Sequence, residues 1–130
     1  MPHNSGGGFV LGIGLSENAG LADAMALAED VIARSGFQRE QIGCIATLSS
    51  RSDHPILRHL ASRLNTAVTT FDPIALEAET PRLANPSEAL FARMGCHGVA
   101  EAAALAAAGK AARLIVAKVK AGRVTMAIAA

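Results

Sequence analysis

The chain has no tryptophan and no tyrosine, and only four phenylalanines among its 130 residues. Proteins that hold single-stranded nucleic acid stack the bases on aromatic rings, so this scarcity removes that class. Charge of one sign is missing as well. Twelve basic against eleven acidic residues leave a formal charge of +1, which argues against a duplex-binding surface, since such modules generally carry clustered lysine and arginine with stacking aromatics. No nucleic-acid partner is expected. Cysteine stops at two, Cys44 and Cys96, too few for a disulfide framework. Cys44 sits in the apolar run Ile42-Gly43-Cys44-Ile45-Ala46, where a thiol behaves as a small hydrophobe, and both cysteines read as free thiols of a reducing compartment. No uncharged run approaches the ~20 residues of a membrane span, and the start carries no basic segment followed by an apolar core. The expectation is a cytoplasmic protein without membrane contact. His54 and Arg58 share a helix face and His59 lies off it, with no cysteine or acid at ligand spacing, so no metal is expected.

What is present is alanine. It supplies 28 residues of a 51% hydrophobic chain, so the core must be built from small aliphatic side chains between closely approaching elements. A chain of this length buries about two thirds of its extended surface, enough for one core and too little for two. Residues 1–8, Met-Pro-His-Asn-Ser-Gly-Gly-Gly, have nothing to bury and read as a flexible tail before a single domain over 9–130. Phe9-Val10-Leu11-Gly12-Ile13 is a short continuous apolar run, the pattern of a strand covered on both faces. A helix follows over about 19–34, with Leu21, Met25, Ala28 and Ile32 on one stripe, Asn18 as its cap and Gly36 as its stop. The unit then repeats: a strand to Leu48, a helix opened by Asp53-His54-Pro55, and a strand from Thr66 to Phe71. Strand, helix, strand, helix, strand means right-handed crossovers and a parallel sheet.

Asn85-Pro86-Ser87-Glu88 reads as a helix start, with Asn85 capping and Glu88 reaching back, for a short helix over 86–93 that stops at Gly95. A last helix over 99–108 is poor in bulk and can lie very close to the sheet. The segments 114–119 and 124–129 form a hairpin across Lys120-Ala121-Gly122-Arg123. The predicted fold is therefore a single α/β domain: a mixed, mostly parallel five-stranded sheet, with strands near 9–14, 43–48, 67–71, 113–119 and 123–129, helices on both faces and a C-terminal β-hairpin.

Ligands of such sheets collect at the carboxyl ends of the parallel strands. Four loops are expected to meet there: 14–18, 48–53, Asp72-Pro73 and 95–98. Gly12-Ile13-Gly14 lacks the third glycine of a dinucleotide loop, since Glu17 stands there, and Thr47-Leu48-Ser49 brings no acid for a ribose, so no cofactor is expected. Gly14 and Ser16 still leave backbone amides near a helix start, which suit a carboxylate. Thr47, Ser49, Arg51 and Asp53 are either ligand donors, with Arg51 pairing an acidic arm, or a solvated loop before a helix cap. In Gly95-Cys96-His97-Gly98, a thiol beside a helix start has enhanced thiolate character and a histidine exchanges protons near neutrality. Glu101, in the first turn of the next helix, is either a general base or a complement to the helix dipole. Lys118 and Lys120 share one face of a strand end, as ligand contacts or as guards of an edge strand.

The order of these parts resembles one family. Gly95-Cys96-His97-Gly98-Val99-Ala100-Glu101, the alanine-rich run to Gly109, Lys118-Val119-Lys120, Gly12-Ile13-Gly14, Ala46-Thr47-Leu48, Asp53 and Asn85-Pro86-Ser87-Glu88 are together similar to the CobE family of cobalamin (vitamin B12) biosynthesis proteins and the C-terminal domain of CbiG, which opens the ring-contraction lactone of the anaerobic corrin pathway. The likeness runs from Phe9 to Ala129. It departs at Leu15-Ser16-Glu17-Asn18, where the family pattern has a cysteine and basic residues. The resemblance implies a partner that is a precorrin or cobalt-precorrin tetrapyrrole, alongside other corrin biosynthesis enzymes. It implies binding of that intermediate at the ring-contraction stage through Gly14, Ser16, Thr47, Ser49, Arg51, Asp53, Cys96, His97, Gly98, Lys118 and Lys120. The alternative is a hydrolase that opens a precorrin-5A-type lactone and releases the extruded carbon fragment, with His97 and Glu101 as its catalytic pair.

Overall fold

A computed structural model describes residues 8–130, so the tail expected over 1–8 lies outside the described residues but for Gly8. Five strands, β1 (Phe9–Leu15), β2 (Ile42–Leu48), β3 (Val68–Phe71), β4 (Leu114–Ala121) and β5 (Val124–Ala129), form one sheet in the order β3-β2-β1-β5-β4. β1, β2 and β3 run parallel; β5 lies antiparallel beside β1, and β4 beside β5. The mixed sheet with its C-terminal hairpin is the architecture the alternation of apolar runs and capped stripes predicts.

β1 is central, and its alternation separates two cores. Phe9, Leu11, Ile13 and Leu15 face α1 (Leu21–Ser35) and α2 (Pro55–Leu64), joining Leu27, Val31, Leu57, Leu60, Met126 and Ile128. Val10 faces the other way, into a core of Ala46, Leu48, Leu76, Ala102, Ala103, Ala104 and Leu105 beneath α5 (Ala100–Ala108). Gly12 is what lets α5 seat: a Cβ there would overlap the Ala100 carbonyl oxygen and stand 2.9 Å from the Ala104 methyl. The far end of α5 is held by Arg82, whose Nη1 donates to the carbonyls of Gly109 (3.2 Å) and Ala112 (3.0 Å) and whose Nη2 donates to that of Leu105 (3.3 Å). A guanidinium there adds a second donor to carbonyls at the helix end and complements the negative end of the helix.

The helix starts correct three expectations. α1 begins after Gly20, which makes no side-chain cap, because the Asn18 amide oxygen instead accepts from Arg123 Nη1 at 3.0 Å. α2 is capped by His54, whose Nδ1 accepts from the Ile56 amide, and not by Asp53, which is exposed one residue earlier. The short helix after α3 (Pro73–Glu77) is α4 (Glu88–Met94), capped by Ser87 through Leu90 N–H. Asn85 is drawn away from that cap by the carboxylate of Glu101. The hairpin turn is tighter than expected: Ala121 pairs with Val124, and Gly122 takes φ +58 at the first central position, which favours glycine in a two-residue turn.

Candidate functional site

A cleft of about 400 Å³ opens where the carboxyl ends of β1 and β2 meet the amino end of α5 and the β4–β5 hairpin. Gly14, Leu15 and Ser16 come from the end of β1, Leu48 and Arg51 from the end of β2, and His97, Gly98, Val99, Ala100 and Glu101 from the approach to α5. Lys118, Lys120, Gly122, Arg123 and Thr125 form the hairpin wall; Asn85, Ser87, Leu90, Arg93 and Met94 form the wall around α4. Three of the four loops expected to converge do so. The fourth, Asp72-Pro73, does not line the cleft; it supports the site from behind, with Pro73 3.7 Å from where a Gly95 Cβ would be.

The charge of the cleft is far from that of the chain. Five permanent cations, Arg51, Arg93, Lys118, Lys120 and Arg123, line it, against one acid, Glu101. That acid is already engaged. Its Oε1 accepts from the amides of Ala84 (3.0 Å) and Asn85 (2.9 Å), and its Oε2 from the Asn85 side chain (2.9 Å) and the Lys118 amide (2.8 Å). Burial alone would raise its pKa, but these donors outweigh burial and hold the carboxyl below its usual range. Glu101 thus ties the 84–85 loop to the edge strand β4 across the start of α5. A carboxylate with four donors and a lowered pKa is a poor base; its geometry is that of a positioning residue.

Arg51 is also partly engaged, with its Nε donating to the Leu15 carbonyl at 2.7 Å, which leaves the terminal nitrogens for a ligand. Beside it His54 Nε2 meets the Ser16 carbonyl at 3.1 Å while its Nδ1 accepts from Ile56, so Nε2 carries the proton. The loop after β1 is therefore clamped by α2. Arg51 and Arg123, far apart in the sequence, both reach the 15–18 loop, Arg51 at the Leu15 carbonyl and Arg123 at the Asn18 amide oxygen.

His97 is held from three sides. Its backbone N–H donates to Glu77 Oε1 at 2.9 Å, its Nδ1 lies 2.9 Å from Glu77 Oε2, and its Nε2 lies 3.3 Å from Glu88 Oε2. Phe91 stacks on the ring at 4.3 Å with the planes 13° apart, a contact that favours a cation. Bonding to Glu77, reinforced by its charge and by Glu88, raises the His97 pKa against the opposing effect of burial; the same bond lowers that of Glu77. When protonated, His97 adds a sixth cation to the cleft.

Of the remaining expected ligand residues, Thr47, Ser49, Asp53 and Cys96 do not line the cleft. Thr47 is buried and its hydroxyl donates to the Ile13 carbonyl at 2.7 Å, joining β2 to β1. Cys96 is buried, and burial pushes its thiol up, with the Glu77 charge in the same direction, so the expected thiolate character is reversed. Adjacent residues in an extended segment point opposite ways, and here His97 takes the cleft and Cys96 the core. Sequence reasoning missed Arg93 and Arg123. Each stands next to a turn glycine, Arg93 two residues before Gly95 and Arg123 after Gly122, and their convergence depends on the fold. Among the described residues no cluster of histidine, cysteine and acid side chains is placed to hold a metal ion, and no helix is long and apolar enough to cross a membrane.

A five-stranded α/β domain thus carries a basic cleft at the carboxyl ends of its parallel strands, a surface whose charge complements an anion. Residues 9–129 match the family described as cobalamin synthesis G C-terminus. The chain is 41% identical over 125 residues to Protein CobE of Sinorhizobium sp., covering 96% of this chain and 81% of that protein. Among solved structures it is similar to CobE from the cobalamin (vitamin B12) biosynthetic pathway, at TM-score 0.84 and 32% identity over 94% of this chain and 89% of that one. A cobalamin biosynthesis protein G homolog from Sulfolobus solfataricus matches at TM-score 0.71 and 26% identity, over 94% of this chain but 36% of the larger protein. The chain belongs to the CobE/CbiG C-terminal family of cobalamin biosynthesis proteins.

Proposed function

We propose that this domain binds a precorrin-type intermediate at the corrin ring-contraction stage and holds it by its carboxylate arms. The observation that carries the reading is the charge of the cleft: five permanent cations gather there in a chain whose formal charge is +1, and the acid among them is saturated by its own donors. Such a surface suits a macrocycle edged with acetate and propionate groups. Leu15, Leu48, Leu90, Met94 and Val99 offer aliphatic contact to its face in place of aromatic stacking. Other corrin biosynthesis enzymes are the natural partners of a domain that holds an intermediate, and the cytoplasm is where it would meet them.

A second reading, hydrolysis of the ring-contraction lactone, is favoured by one observation: Glu77 orients the His97 ring through Nδ1, as a carboxylate does for a catalytic histidine. The raised pKa favours the protonated ring, which can donate a proton but lacks the free lone pair that activation of water needs. Activation of water would then fall to no free group, since Glu101 is engaged, which is why binding is preferred. Incubation with ring-contraction intermediates, followed by absorbance and mass, separates the two. A bound chromophore of unchanged mass is expected, and Arg51→Ala and Arg93→Ala should each weaken it roughly tenfold. A change of mass would replace the carrier by the enzyme; retained affinity in both variants would move the site elsewhere.

A further inference from the structure

The environment of His97 supports a finer statement about how the cleft takes its ligand, one that rests on the binding reading above. Glu77 fixes the ring through two bonds, one to Nδ1 and one to the backbone N–H, and Phe91 fixes its plane. Both ring nitrogens face carboxylates, so in the protonated ring the second donor, the N–H at Nε2, is aimed before any ligand arrives. It faces Glu88, whose Oε2 lies at 3.3 Å, longer than the roughly 2.7–2.9 Å of a well-formed charge-assisted bond. The Glu88 side chain is 91% exposed, so little else detains it. His97 itself is a wall of the cleft.

We infer that His97 Nε2–H is a docking point for one carboxylate arm of the ligand, and that Glu88 occupies it in the unliganded chain and is exchanged for the arm on binding. A single N–H directs its bond to one carboxylate oxygen at a time, so internal and external carboxylates compete. The competitor sits in the first turn of α4, where an acid is in any case favourable. Once released, Glu88 returns to solvent at little cost because it was scarcely buried. α4 thereby takes part in recognition through its first residue as well as through Leu90 and Arg93.

The sign of the effect of changing Glu88 tests this. Cobyrinic acid, a corrin polycarboxylate, serves as the probe in calorimetric titration at low ionic strength, with its neutral methyl ester as control. Glu88→Gln and Glu88→Asp are both expected to tighten binding of the acid by about two- to fivefold, the range of an exposed ion pair, and to leave the ester unaffected. Aspartate keeps the charge but is one methylene too short to reach His97, so it separates competition from net charge. In a His97→Asn background neither substitution should change affinity. If the parent binds the acid and Glu88→Asp matches the parent, the exchange is wrong and only general electrostatics remains. If the parent does not bind the acid at all, the binding reading falls and this inference with it.

Discussion

The two faces of β1 are built by opposite means. Toward α1 and α2 the strand offers Phe9, Leu11, Ile13 and Leu15, and the core there is filled by bulk. Toward α5 it offers Val10, Gly12 and Gly14, and the helix is an alanine rod whose backbone lies almost on the sheet. The first face gains stability from apolar area. The second gains proximity, which is what a site needs: with α5 this close, its amino end, the 95–98 loop and Glu101 arrive at the strand ends where Arg51 and the hairpin cations already stand. Bulk packing and the candidate site are thus divided between the faces of one strand.

The largest effect that would sharpen this division is on the bulky side. Leu60→Ala, on α2 and fully buried, should cost roughly 2–5 kcal/mol in denaturant unfolding while the binding of a tetrapyrrole polycarboxylate by the remaining folded protein stays unchanged. A loss of affinity in the folded fraction would show that the faces are coupled. Gly12→Ala is the converse. The added methyl meets a backbone carbonyl, which cannot rotate away, so α5 must shift; about 1–3 kcal/mol of stability should go, and affinity with it. Unaltered affinity would break the claim that proximity of α5 builds the site.

Glu101→Gln comes next, at about 1–3 kcal/mol, because the amide nitrogen must face either the Ala84 and Asn85 N–H groups or the Lys118 N–H and the Asn85 side-chain amide, leaving two donors unpaired in either orientation. Weaker binding should accompany it, through loosening of the 84–85 loop and of β4 at Lys118. An unfolding midpoint equal to the parent's would remove Glu101 from its positioning role.

The smallest effect is on pH dependence. His97, faced by Glu77 from α3 and Glu88 from α4, has a raised pKa, so its contribution to stability is complete below its ordinary value of 6.5 and fades as pH rises through the folded value. Glu77, with a lowered pKa, contributes above its ordinary 4.5 and loses that contribution as pH falls through its folded value. The difference in melting temperature between the parent and His97→Gln should therefore be greatest between those two ordinary values and shrink toward alkaline pH. A difference independent of pH would mean that His97 acts by shape alone.

The order of elements, the hairpin and the glycine stops at Gly36, Gly95 and Gly109 were legible in the chain, because each depends on neighbours within a few residues: apolar period, turn chemistry and positive φ. Three loops of the site followed from the same pattern, since a parallel sheet puts them at one end. The caps were not legible. Asn18, Asp53 and Asn85 each had the right chemistry beside a helix start, and each lost the position to a residue one or two places on. For Asn18 and Asn85 the reason is a long-range partner, Arg123 in one case and Glu101 in the other.

The same distinction runs through the charges. Sequence by itself determined the family, the strand-and-helix alternation and the identity of His97, Arg51 and the two lysines as residues of one end of the sheet. Only the tertiary structure decided that Arg93 and Arg123 join them, that Glu101 is an anchor with its donors filled, and that Cys96 turns inward while His97 turns out. Local structure depends on backbone preferences that act over one or two turns. Whether a polar side chain is free or committed depends on which hydrogen-bonding partners the fold carries to about 3 Å of it, and those lie 16 to 105 residues away along the chain.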